Sequence, residues 1–105
     1  MKMIDLASVN DVSEDEPLRV ELPDMEAIAV YNIDGEFFAT DDLCTHGEAS
    51  LADGYIENGQ IICPFHEGGF DIRTGKASKA PCSKDLKCHK LKVEADRILL
   101  CLEDV

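Results

Sequence analysis

Cys44-Thr45-His46 is followed, after 16 residues, by Cys63-Pro64-Phe65-His66. Two thiols and two imidazoles in two short runs make a donor set for a soft or borderline metal. Zinc is one reading of any such set. Structural zinc sites, however, space their ligands as C-x-x-C and H-x-x-x-H steps, and the single residue between Cys44 and His46 fits that poorly. In extended chain, residues i and i+2 point to the same side. Cys44 and His46 can therefore offer sulfur and nitrogen from one side of a loop to two different iron atoms, and Cys63 and His66 repeat the offer.

Around these runs the chain changes character. Residues 41–82 hold six of the seven Gly, two of the four Pro, three of the five Cys and two of the three His. Only short strands fit there, over 55–57, 60–63 and 69–72. Outside this stretch the pattern is that of a β protein. Residues 18–22 alternate apolar and polar, as a half-buried strand does, and further strands are expected over 3–6, 27–33, 36–40, 90–94 and 98–102. Asp34-Gly35 is a strong two-residue hairpin signal, and Ala95-Asp96-Arg97 closes a second hairpin. The one helical turn expected spans residues 8–12. A loop-rich insert on a β scaffold is where binding residues concentrate. One with so little apolar material needs a metal centre to hold it.

Composition narrows the function. The 105 residues are expected to form one domain, 1–105. They carry a net charge of −12. Residues 1–72 have 2 basic and 17 acidic side chains, whereas residues 73–105 have 8 basic and 5 acidic. Nucleic acid and anionic membrane surfaces attract positive charge, so neither is an expected partner. The acidic part suits solubility, or the steering of a basic protein partner. No run of 18 apolar residues and no leader-like apolar region is present, and a cytoplasmic location is expected. Five Cys, an odd number, argue against a disulfide framework.

At the double motif the chain resembles the Rieske [2Fe–2S] proteins, whose pattern is C-x-H, 15 to 17 residues, then C-x-x-H. In that family two Cys bind one iron and two His the other. The resemblance therefore implies one [2Fe–2S] Rieske cluster held by Cys44, His46, Cys63 and His66. The fold it implies is all-β, an antiparallel sandwich-like base with a small cluster-binding subdomain at about 41–82. The likeness extends to the small Rieske-type ferredoxins of bacterial aromatic-ring-hydroxylating dioxygenase systems, through Tyr31-Asn32-Ile33-Asp34-Gly35-Glu36-Phe37-Phe38-Ala39-Thr40, Asp53-Gly54-Tyr55, Gly69-Phe70-Asp71 and Thr74-Gly75-Lys76-Ala77. It implies a monomeric one-electron carrier with no catalytic residues of its own. Its partners would be a flavoprotein ferredoxin reductase fed by NAD(P)H and a terminal oxygenase. A small Rieske subunit of another multicomponent redox enzyme and a zinc-binding interaction module are the alternatives.

The chain departs from the Rieske proteins of respiratory complexes at four positions. Ala49 and Phe65 stand where that branch has a disulfide between the loops. Gly68 and Phe70 stand where it has the Ser and Tyr hydroxyls that bond to the cluster and its Cys ligand. Hydrogen bonds to sulfur stabilise the reduced cluster, so their loss implies a low potential within the Rieske range. Phe65 and Phe70 read either as shielding for the cluster or as ordinary core, and Pro81 resembles the proline of a covering third loop, with a plain turn as the alternative. Cys82, Cys88 and Cys101 are not expected to be ligands, Cys101 reading as a small buried hydrophobe. His89 is expected to be an ordinary strand residue. Lys76, Lys79, Lys84, Lys87, Lys90 and Lys92 are expected to form a solvated face.

Overall fold

The computed structural model describes residues 2–23, 25–45, 49–64, 67–80 and 84–102. Among these residues there are ten strands. A six-stranded antiparallel sheet is built from β1 (Lys2–Ser8), β2 (Leu18–Leu22), β3 (Met25–Ile33), β4 (Glu36–Asp41), β9 (Cys88–Glu94) and β10 (Arg97–Leu102), in the order β1-β10-β9-β4-β3-β2. A smaller sheet holds β5 (Tyr55–Glu57), β6 (Gln60–Ile62), β7 (Gly69–Asp71) and β8 (Ala77–Lys79), in that order. The architecture is the expected all-β one. β2 and β5 have the bounds read from the sequence, and the other foreseen strands differ by one to three residues in all.

Local chemistry accounts for the connections. Asp34 and Gly35 both have positive φ, 53° and 86°, as the tight hairpin between β3 and β4 needs. Asn58-Gly59 makes the same turn between β5 and β6, with φ of 51° and 77°. The expected helical turn is a 3₁₀ turn, Val9–Asp11, and a second one, Leu51–Asp53, was not foreseen. Ser8 caps the first by accepting from the Asn10 N–H at 3.2 Å, while Asp11 accepts from the Ser8 N–H at 3.0 Å.

Three expectations are corrected. The last hairpin turns on two residues, not three. Ala95 and Asp96 both have positive φ, and Arg97 already pairs with Glu94 in the ladder. Neither turn residue is Gly or Asn, so the sequence carries no sign of the tighter turn. Cys101 is only partly buried. It lies opposite Met3 and Lys90, out of phase with the buried Ile98 and Leu100, which take the inner face of β10. β8 was not foreseen, because Ala77-Ser78-Lys79 has no apolar alternation. It forms by pairing with β7 through Gly69 and Phe70.

Two cores result, and β3 divides between them. Successive side chains of a strand face opposite ways. Ile28 and Val30 point into a cluster with Val12, Ala39, Ile98 and Leu100, inside the large sheet. Ala29 and Tyr31 point into a second cluster with Leu51, Ile61, Phe70, Ile72 and Leu86, between the two sheets. Arg73, just past β7, ties the small sheet to β4. Its guanidinium lies 4.8 Å from the Phe38 ring centroid and 3.5 Å from Glu36.

Candidate metal centre

Cys44 and Cys63 are buried, at 2% and 0% exposure, and both belong to the core between the sheets. Each begins a loop, and the two loops are closed alike. The Cys44 N–H donates to the Ala49 carbonyl at 2.9 Å, and the Cys63 N–H to the Gly68 carbonyl at 2.7 Å. In each case the acceptor is five residues on, so the loop folds back over its own cysteine. His46 and His66 fall inside these two loops but lie outside the described residues, as do Phe65, Pro81 and Cys82.

The first loop leaves β4 at Asp42 and returns at Ser50, across an antiparallel bridge between Leu43 and Ser50. The second spans the β6–β7 hairpin, where Ile62 pairs with Gly69. Gly54 fixes how closely the two approach. A Cβ on it would collide with the carbonyl oxygen of Ile62, the residue before Cys63. Thr45 donates from Oγ1 to the Lys84 carbonyl at 2.6 Å, fastening the first loop to the segment just past Pro81-Cys82-Ser83. That segment is fastened in turn by the Leu86 N–H to the Gly75 carbonyl at 2.7 Å, and by the Ala77 N–H to Asp85 Oδ1 at 2.9 Å.

Phe70 is fully buried in the same core as the two cysteines, and it offers no hydroxyl. Ala49 is also buried there and has no thiol to share. Tyr31 packs in the same core. Its hydroxyl lies 2.8 Å from Thr40 Oγ1, which donates to the Asp41 carbonyl at 2.9 Å and so leaves Tyr31 as the donor to Thr40. Burial first, then the Asp42 and Cys88 charges, pushes the Tyr31 phenol well above its ordinary pKa, outweighing the opposing effect of the Thr40 bond.

Cys88 is set in β9, and burial followed by the Asp71 and Asp41 charges raises its thiol pKa. A thiol held protonated is a poor ligand and nucleophile. His89 does lie in a strand, as expected, but it has a partner: its Nε2 is 2.7 Å from Asp41 Oδ1, a link between β9 and β4. The six lysines between residues 76 and 92 are all exposed. Asp42 escaped sequence reading. Its only sign was an acidic residue two places before Cys44, with Ser50 available at the far end of the loop. Asn58-Gly59 also went unread, although that dipeptide is a strong hairpin signal.

Two buried thiols from separate loops, closed alike and set in one apolar core, fit a metal–sulfur centre with its sulfur side inward. Among the described residues, no helix is long and apolar enough to cross a membrane.

Comparison with known proteins agrees. The sequence profile of the Rieske [2Fe–2S] domain matches residues 2–90. The chain is 44% identical, over 95% of its own length and 95% of the relative's, to the ferredoxin component of naphthalene 1,2-dioxygenase/salicylate 5-hydroxylase systems from Ralstonia sp.. The solved ferredoxin of Sphingomonas yanoikuyae B1 superposes with a TM-score of 0.94 at 43% identity, covering 97% of this chain and 100% of that one. A chain from the complex of reduced oxygenase and oxidized ferredoxin in carbazole 1,9a-dioxygenase gives a TM-score of 0.89 at 32% identity, covering 93% and 91%. The chain belongs to the Rieske [2Fe–2S] domain family and, within it, to the ferredoxins: it is an electron carrier rather than an enzyme, built for an iron–sulfur cluster of the Rieske type.

Proposed function

We propose that this protein is a cytoplasmic, monomeric, single-domain carrier with one [2Fe–2S] cluster, bound through Cys44 and Cys63 on one iron and His46 and His66 on the other. It passes electrons one at a time from a flavoprotein ferredoxin reductase, fed by NAD(P)H, to the Rieske centre of a terminal aromatic-ring-hydroxylating oxygenase. The observation that carries this reading is the pair of buried cysteines, each opening a loop closed by the same backbone bond. The relatives named as ferredoxin components, and the complex of an oxygenase with a ferredoxin, support the direction of flow.

The cluster supplies a single redox step. The chain supplies its surroundings: Cys44 and Cys63 are kept from water, Phe70 and Ile61 pack beneath them, and Thr45 holds the first loop against the third. Two imidazoles in place of two thiolates leave the centre less negative than a four-cysteine ferredoxin, so it accepts an electron more readily.

Purified protein should be red-brown, contain iron and sulfide in equal amounts, and show a Rieske EPR signal after reduction. Colourless protein holding zinc would overturn the assignment. A reconstituted mixture of NAD(P)H, reductase, this protein and oxygenase should hydroxylate an aromatic ring and stop when this protein is left out. Its rate should fall as salt rises, because the Debye length shrinks from about 10 Å at 0.1 M to about 3 Å at 1 M.

A further inference from the structure

Among the described residues, Asp42 is the one buried carboxylate, at 3% exposure. It stands two residues ahead of Cys44. Its Oδ2 accepts from Ser50 Oγ at 2.6 Å, and its Oδ1 accepts from the Ala52 N–H at 2.9 Å. Its carbonyl accepts from the Leu51 N–H at 2.7 Å, and its own N–H donates to the Ala27 carbonyl at 3.0 Å. One residue thus binds the outgoing strand, the returning strand and the neighbouring β3. On its solvent side Arg19, from β2, brings Nε to 3.6 Å from Oδ2 while its Nη2 donates to Glu21 Oε1 at 3.0 Å, with about half its side chain exposed.

Hydrogen bonds alone could close this loop, and a neutral side chain could make some of them. A buried carboxylate is a costly way to do it unless its charge is balanced. That charge also acts on anything bound at Cys44. Negative charge opposes the arrival of an electron, and positive charge favours it. Arg19 and Asp42 therefore act in opposite senses on the same centre, through a medium that screens less than water.

We propose that Asp42 and Arg19 are a paired charge setting at the root of the Cys44 loop: Asp42 positions the loop and holds the reduction potential down, and Arg19 offsets it. This rests on the ligand assignment proposed above. A purely structural role predicts that breaking the pair from either side loosens the loop and moves the potential the same way. The electrostatic role predicts opposite signs.

Protein-film voltammetry on cluster-loaded protein separates the two. Asp42→Asn, which keeps the shape and some of the bonds, should shift the reduction equilibrium toward the reduced form by about threefold or more. Arg19→Gln should shift it toward the oxidised form by a similar factor, and the double variant should lie between the two. Potentials that move in the same direction in both single variants, or in neither, overturn the proposal. Where Asp42→Asn loads no cluster, Arg19→Gln decides alone: its half-exposed side chain can be removed, and an unchanged or raised potential overturns the proposal. The EPR signal of reduced wild-type protein is read from the same preparation. Its absence would count against the cluster assignment and not against the charge pair.

Discussion

The strands of the large sheet run five to nine residues; those of the small sheet run three each. The large sheet closes over an aliphatic core of Val12, Ile28, Val30, Ala39, Ile98 and Leu100. The core beside the small sheet includes two cysteines and a tyrosine among its buried residues. Sheets of three-residue strands are marginal by themselves. Backbone closures at Cys44 and Cys63 and the Asp42 and Thr45 bonds supply part of what strand length does not. The lesson is a division of labour: one sheet is stable through burial, and the other holds a shape that burial alone would not fix.

The largest expected effect breaks that division from the metal side. Cys44→Ser or Cys63→Ser should abolish the Rieske signal and expose residues 42–82 to hydrogen exchange, while β3, β4, β9 and β10 keep their protection. A full signal in either variant would refute the ligand assignment. Cys82→Ser, Cys88→Ser and Cys101→Ser should each retain the cluster.

The same division can be tested from the other side. Leu100→Ala in the base removes a fully buried side chain, at a cost of about 2–5 kcal/mol. Its denaturation midpoint should fall clearly. Its EPR spectrum and potential should stay those of the wild type, because Leu100 packs in the core away from the cysteines. A changed spectrum would show that the two cores are not separable.

A smaller effect belongs to the shared strand. The Tyr31 phenol is raised in the folded protein, so above a pH of about 10 the unfolded chain releases a proton that the folded one keeps. The stability this contributes is fully present below pH 10 and is lost as pH rises, by about 1.4 kcal/mol per pH unit until the folded group titrates. Urea midpoints from pH 9 to 11.5 should fall more steeply in the wild type than in Tyr31→Phe. Parallel curves would mean that burial does not hold the phenol protonated.

The finest prediction concerns the cofactor's surroundings. With Gly68 and Phe70 at the donor positions and Ala49 at a disulfide position, the potential should lie near the bottom of the roughly −150 to +300 mV Rieske range. The voltammetric potential should also be nearly independent of pH around 7. A slope near 59 mV per unit at pH 7 would contradict this. Gly68→Ser with Phe70→Tyr should raise the potential.

The parts legible in the sequence are those set by near neighbours. The double Cys/His motif, the Asp34-Gly35 turn, the alternation of residues 18–22 and the helical turn after the first strand all depend on backbone preferences or donor spacing within a few residues. Tertiary structure decided what depends on distant partners. Ala29 and Val30 are equally apolar in sequence, yet they serve different cores because β3 is covered on both faces. Cys101 sits in an apolar strand, but its phase puts it opposite Lys90, away from the core. β8 exists because β7 offers it an edge. Asp42 reads in sequence as one of 22 acidic residues. Only the meeting of Ser50, Ala52 and Arg19 around it, from two other segments of the chain, turns it into the fastening of the Cys44 loop. Turn geometry and ligand type are local properties of the chain, whereas burial, register and electrostatic environment arise only when remote segments pack together.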